Sequence, residues 1–500
     1  MAEKKHLFGT SEKSDFILNM TEQGTKKLCG LYCIIAMIVI TVAAIPYYFT
    51  KDVVDYVEVE GGIEFVHYLS EKMIYWVSTL MIGAGVIGFC IFLIGRMKGQ
   101  ISLKDNKALL WLGGIIFMSL LSSLLSDYVV YAFTGYLDRA EGLLSILGYI
   151  GFFAAAMTVT GDNWRKNICD ALVGIGAFNS VVGILQSIPA TGEKMPNYFA
   201  YLFKEYGTAA AEGEKLIGGA VHTADYTASG FACTPFALGA LLTVTFSAAF
   251  AGAVFDDSKQ RKILYSLGGI LMTVCAVLTQ TVPAVTGIGC AAVIMLVLGI
   301  AAKVKCEDKS QGKKALISAA AGFAAVAAVF VIVAVSGHLV FKDEQIIRTD
   351  VNDRLVISTL DKEDKEAWIY PYLWDDGMYV FENNIVFGTG PDNWDTMASL
   401  GASIDRSYNE YIDVAMQRGI ITLALYIVFL IITLKKAVCA VGGLFRGKNN
   451  WAADAVMCGL AAYMVQAFFN ISSISSSPFF WLAAGLAWSY GAKGSTKAKA

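Results

Sequence analysis

The sequence predicts an all-α integral membrane protein with about twelve transmembrane helices and one large, partly helical extracytoplasmic loop. Three observations predict it. Hydrophobic residues make up 56% of the 500 residues and charged residues only 16%, whereas a soluble protein carries roughly a quarter of its residues charged. The charges are clustered, and the apolar runs between them have the ~20-residue length that crosses a ~30 Å hydrocarbon core as a helix. Basic residues are also distributed unequally between alternate connections. Mean hydropathy is +0.56, and a formal charge of −3 gives no reason to expect a nucleic-acid partner.

The runs fall near 28–50, 74–95, 107–125, 143–160, 166–188, 228–254, 262–281, 284–303, 314–336, 415–434, 451–470 and 476–492. Backbone N–H and C=O groups in lipid must be satisfied within the segment, so runs of this length are helices. They are far longer than the alternating strands of a membrane barrel. The seventh and eighth runs are separated only by Thr281, Val282 and Pro283, a spacing also compatible with one long kinked helix. The resulting organisation is a polar tail over 1–27, nine helices over 28–336, a large loop over 337–414, three helices over 415–492 and a tail over 493–500. The first 27 residues are too long and too mixed in charge for the leading part of a secretory signal, so the first helix is expected to stay as an anchor.

Orientation follows from lysine and arginine, which concentrate in cytoplasmic connections. With the N-terminus inside, cytoplasmic segments hold 26 of the 39 Lys+Arg residues and the outer segments hold 13, although the outer segments are longer in total. Both termini are therefore expected in the cytoplasm. The ten cysteines sit in predicted helices, at helix mouths or in inner connections, which offers no disulfide framework to the outer loops. Small residues such as Gly83-Ala84-Gly85 and the Ala319–Ala328 stretch suit close helix packing. The predicted helices carry almost no charge in mid-span beyond Asp170 and Asp454 near their ends, which disfavours an ion-coupled transporter.

Chemistry is then expected outside the membrane core. The loop over 51–73 is short, acidic and expected to be merely solvated. The loop over 189–227 brings His222, Asp225 and Tyr226 to the sixth helix. The loop over 337–414 holds His338, Arg348, Arg354, three tryptophans and the turn Gly388-Thr389-Gly390-Pro391-Asp392-Asn393. Its stretch Trp374–Phe381 reads as a short amphipathic helix stopped by the glycine turn, an ordered lid rather than a linker. Asp375-Asp376 reads as solvated helix face rather than as ligands. Arg139 stands at an outer helix mouth. It either snorkels or pairs with Asp138 or Glu141, or it recognises an anion through its planar fork of donors. No outward cluster of Asp, Glu and His has metal-ligand spacing, so neither metal nor other cofactor is expected.

Four patches carry a resemblance to the O-antigen ligase/polymerase family of bacterial membrane glycosyltransferases. They are Tyr136–Leu144, Trp374-Asp375-Asp376-Gly377 running into Phe387–Trp394, Asp405–Ile412 followed by Gly419-Ile420, and Ala462–Ile471. Together with helix number and loop placement, the resemblance covers most of the chain. It implies a GT-C-like helical fold in the bacterial cytoplasmic membrane. It also implies an inverting, metal-independent transfer of glycan from an undecaprenyl-diphosphate-type donor to a glycan, lipid or protein acceptor at the outer face, in contact with membrane lipids.

The same resemblance implies a base at position 408, where the family has histidine and this chain has Tyr408. A phenol of pKa about 10 is a poor base where imidazole would serve. Family arginines are likewise replaced at Tyr370 and within Thr279–Ala284. Cations must stabilise the leaving diphosphate, and Arg139, Arg354 and Arg406 are the candidates for donor-phosphate binding, with Arg348 also in reach. His222 and His338 are candidate substitutes for the base, against the plainer reading of solvated loop histidines. Asp138, Glu141, Asn409 and Asp392 are expected to support them. The alternatives are a catalytically inactive relative that binds lipid-linked glycan or scaffolds envelope assembly, and a transporter or flippase.

Overall fold

A computed structural model describes residues 20–46, 55–59, 62–66, 68–98, 107–136, 139–187, 228–335, 370–393, 406–441 and 450–490. In chain order the helices are α1 (Glu22–Val42), α2 (Tyr68–Met97), α3 (Ala108–Leu125), α4 (Val129–Thr134), α5 (Leu143–Met157), α6 (Asp162–Gln186), α7 (Pro235–Phe255), α8 (Lys259–Leu278), α9 (Val282–Lys305), α10 (Lys309–Val335), α11 (Tyr370–Asn383), α12 (Glu410–Val441), α13 (Trp451–Gln466) and α14 (Ser477–Ser489). Two short strands, β1 (Asp55–Val59) and β2 (Gly62–Val66), pair antiparallel between α1 and α2. The loop expected to be merely solvated thus contains a hairpin.

Each of the twelve predicted runs corresponds to a helix, but not all twelve are alike. Ten helices are long and apolar enough to cross a membrane among the described residues. Two of the predicted spans, α5 and α14, have only 15 and 13 residues, about 22 and 20 Å at 1.5 Å per residue. Both are buried by neighbouring helices along most of their length. Non-helical backbone at membrane depth is tolerated where protein rather than lipid surrounds it. The run over α5 overshot because the chain continues past the helix end into the buried Thr158 and Val159.

Helix α7 lies at the centre, buried along nearly its whole length and packed by α6, α8, α9 and α13. Helix α10 lies at the edge with most of its surface exposed. Small residues do set close approaches. A Cβ on Gly85 would sit 2.4 Å from the Gly148 carbonyl oxygen, and one on Gly151 would sit 2.0 Å from that of Gly85. The seventh and eighth runs form two separate helices rather than one kinked one. Gln280 between them takes φ +57°, Thr279 and Thr281 share a hydroxyl hydrogen bond of 2.9 Å, and Pro283 starts the next helix.

Helix α12 departs most from expectation. It begins at Glu410 rather than at 415, and its backbone is interrupted at Gly419 (φ +78°). A Cβ there would meet the Val386 carbonyl oxygen at 2.0 Å, so both the conformation and the space require glycine. Gly419→Ala is expected to lower stability by about 2 kcal/mol, read as a clear drop in melting temperature of the detergent-solubilised protein. Gly113→Ala, where a Cβ meets nothing within 4 Å, should leave the melt unchanged.

Candidate functional site

The interruption of α12 builds the site. With Gly419 out of helical geometry, nearby carbonyls are released from the helix ladder and find partners elsewhere. Met416 O accepts from Thr389 N at 2.9 Å, Gln417 O accepts from Gly390 N at 2.9 Å, and Ile420 N donates to Ile385 O at 2.8 Å. Gln417 O also accepts from the Ser122 hydroxyl at 2.7 Å, tying in α3. The glycine turn is thereby strapped along the helix break. Gly388 (φ +71°) is needed because a Cβ would lie 2.3 Å from Gln417 C. Asn393 fixes the far end of the turn through Nδ2 to Ser126 Oγ at 2.6 Å and Tyr128 O at 3.1 Å.

What the turn delivers is Asp392, buried and held at φ +57°. Its Oδ1 accepts from Arg139 Nε at 2.7 Å and from Arg406 Nη2 at 3.1 Å. Its Oδ2 accepts from the backbone N–H groups of Tyr136 at 2.7 Å and Glu141 at 3.1 Å. Four donors match the roughly four lone-pair positions of a carboxylate. Arg139 also lies over the Tyr136 ring, 5.2 Å from its centroid. Arg139 thus pairs with Asp392, a carboxylate beyond those that the short spacing suggested. Its partner is 253 residues away in sequence.

Arg406 is the second hub. Nη2 donates to Glu141 Oε2 at 2.9 Å as well as to Asp392, and Nη1 lies 3.8 Å from Asp413 Oδ2. Its side chain is 3% exposed. Burial alone would lower its pKa, but the carboxylates of Glu141, Asp392 and Asp413 outweigh that and hold it above the ordinary arginine value. Glu141 accepts further from Tyr149 OH at 2.7 Å and Ser472 Oγ at 3.0 Å. Asp413 Oδ1 accepts from Ser407 Oγ at 2.7 Å and Ser407 N at 3.2 Å. Next along the chain, Tyr408 is buried in the left-handed region (φ +50°) with its ring 4.9 Å from that of Phe236. Asn409 caps α12, its Oδ1 accepting from Tyr411 N at 3.0 Å and Ile412 N at 3.3 Å.

Helix α11 covers this region, as the amphipathic pattern around Trp374–Phe381 predicted. Gly377 packs so closely that a Cβ would meet Ile412 Cγ2 at 2.7 Å and Ser407 Cβ at 3.0 Å. Asp375 is exposed, but Asp376 is buried, so the expected solvated pair is split by helical phase. Tyr370 is fully buried and its OH donates to Phe469 O at 3.3 Å, with the Trp374 ring alongside, tilted by 58°.

Of the residues singled out in the sequence, Arg139, Glu141, Asp392, Arg406, Tyr408 and Asn409 come together. His222, His338, Arg354, Arg348 and Asp138 lie outside the described residues. Sequence reading missed Glu410, Asp413 and Arg418, because α12 was started too late. Glu410 accepts from Tyr426 OH at 2.5 Å and Tyr463 OH at 3.3 Å, and Arg418 Nε is buried without a hydrogen-bond partner. The spacing Glu410, Asp413, Gln417 marks one face of a helix that begins at 410 and could have revealed them. Among the described residues no group of His, Cys, Asp or Glu is arranged to hold a metal ion. Arg406→Ala would leave Glu141 and Asp413 buried without their cation. It is expected to destabilise the protein by about 3–5 kcal/mol in thermal or denaturant melts, more than the same change at exposed Lys435.

Residues 267–427 match the family model described as O-antigen ligase. The matched stretch runs from within α8 to within α12 and contains Asp392, Arg406, Tyr408 and Glu410, while Arg139 and Glu141 precede it and Ser472 follows it. No curated protein matches the chain. The match supports a role in cell-surface polysaccharide assembly, and the family implies a membrane setting and a lipid-linked glycan. Over residues 267–427, therefore, the chain is similar to the O-antigen ligase family.

Proposed function

We propose that the chain transfers a glycan from a polyprenyl-diphosphate-linked donor to an acceptor at the outer face of the bacterial cytoplasmic membrane. The observation that carries the reading is the meeting of four separate sequence patches at one buried cluster. Asp392 binds Arg139 and Arg406, Tyr463 reaches Glu410, and Tyr411 OH donates to Met464 O at 2.7 Å. The family match over 267–427 supports the reading. In the transfer, an acceptor hydroxyl oxygen attacks the anomeric carbon, the bond to the diphosphate oxygen breaks, and the hydroxyl proton passes to a base. Arg139, the more exposed of the two arginines with its side chain 11% accessible, stabilises the leaving diphosphate. Arg406 holds the cluster's geometry. The base is His222, His338 or another group rather than Tyr408, whose phenol is buried against Phe236.

A specific observation also favours a catalytically inactive relative that binds lipid-linked glycan. Tyr408 and Tyr370 stand where the family resemblance implies titratable or cationic groups, and both are buried as packing residues. Mass spectrometry of surface glycans with and without the chain separates the readings. An enzyme's loss removes a transferred glycan, whereas a scaffold's loss leaves its chemical structure intact. On the enzymatic reading, Tyr408→Phe should leave glycan output nearly unchanged, and Arg139→Ala should reduce transfer roughly hundredfold. Loss of transfer in Tyr408→Phe at normal expression would make Tyr408 the base.

The outer placement of the cluster rests on the basic-residue bias and has its own test. Cysteines placed at positions 60, 200 and 379 should react with an impermeant label in intact cells. Those at 100, 308 and 445 should react only after permeabilisation. The inverse pattern would put the cluster in the cytoplasm and end the proposal.

A further inference from the structure

A second feature lies at the other end of the bundle. Helix α7 starts beside the cluster, where Phe236 O accepts from Asn470 Nδ2 at 3.1 Å, and its 21 residues carry the chain about 30 Å to the opposite membrane face. There a cavity of about 480 Å³ opens between α8 and α10. Its walls are apolar, formed by Phe246, Phe250, Ile270, Ala325 and Val329 among others, and its mouth carries Lys259 and Lys262. A smaller hollow of about 220 Å³ shares Lys262 and adds Lys314, Asp256 and Asp257.

The two lysines stand where the groove opens. They occupy the first turn of α8, where a cation opposes the helix dipole and an anion is favoured. The nearby carboxylates Asp170 and Asp256 are engaged by Arg261, at 3.1 and 3.3 Å. Lys262 Nζ donates to Val254 O at 3.0 Å, which uses one of its three N–H groups. A cationic mouth on an apolar groove that faces lipid has the polarity of one ligand class.

We infer that this groove holds an acyl chain of an anionic glycerophospholipid, with the lipid phosphate at Lys259 and Lys262. The site is distinct from the buried cluster and independent of the transfer reading. The test is native mass spectrometry of the full chain after exposure to equal amounts of phosphatidylglycerol and phosphatidylcholine with matched acyl chains. The wild type is expected to retain the anionic lipid about tenfold more. Lys259→Ala alone should weaken that preference and Lys259→Ala with Lys262→Ala should abolish it, while Lys435→Ala at another helix end leaves it intact. Ala325→Phe, at an exposed groove position, should reduce retention of both lipids. Equal retention by the wild type, an unchanged preference in Lys259→Ala and the double variant, or undiminished retention in Ala325→Phe would each overturn the site. Melting temperatures taken alongside identify any variant that fails to fold.

Discussion

Burying a carboxylate within a membrane helix bundle costs several kcal/mol unless each of its lone pairs finds a donor. Asp392 meets that condition with two guanidinium N–H groups and two backbone N–H groups. Remove any of those donors and the cost returns, so the carboxylate fixes its surroundings as much as they fix it. The turn before α5, the segment leading into α12 and the glycine turn after α11 are all positioned by one side chain. That is why residues separated by more than 250 positions in the chain form one compact ionic network.

The carboxylate can be there only because α12 is broken. An intact helix would spend the Met416 and Gln417 carbonyls on its own ladder, and nothing would hold the glycine turn against it. The break at Gly419 exchanges intrahelical bonds for bonds to Thr389, Gly390 and Ser122, so few backbone groups go unpaired at membrane depth. Two glycines with positive φ lie across this junction, Gly388 against the backbone of Gln417 and Arg418 and Gly419 against that of Val386 and Phe387. A loop between helices is thereby made part of the rigid core, which is the condition for a precise site.

The network also separates the two arginines by role. Arg406 is enclosed by three carboxylates, and drawing it toward a phosphate would strip charge from all of them. Arg139 stands at the edge, with its ring contact to Tyr136 and a partly accessible side chain. A cluster built this way leaves one guanidinium partly accessible at its edge and encloses the other, which preserves its shape. Tyr408, sandwiched into the same region by its left-handed backbone and by Phe236, contributes volume where an imidazole would contribute a titratable group.

Composition and apolar run length by themselves determined the class of the protein and the approximate place of its twelve apolar helices, because a bilayer imposes a length and a polarity that any spanning segment must show. Local motifs and the family resemblance also flagged Arg139, Asp392 and Arg406 individually. What only the tertiary structure decided was partnership: Arg139 with Asp392, Arg406 with three carboxylates, and Glu410 with two tyrosines. Pairing depends on which helix ends meet in space, and local sequence spacing does not carry that information. The start of α12 shows the limit well. Hydropathy placed it after the charged residues 410–413, since a window average treats charge as a helix boundary. The folded protein instead pairs Asp413 with Arg406 and Ser407, gives Glu410 the hydroxyls of Tyr426 and Tyr463, and continues the helix through them. Likewise α5 and α14 looked long enough to span because the scale sees apolar residues, whereas only the packing shows that protein, not lipid, surrounds their ends.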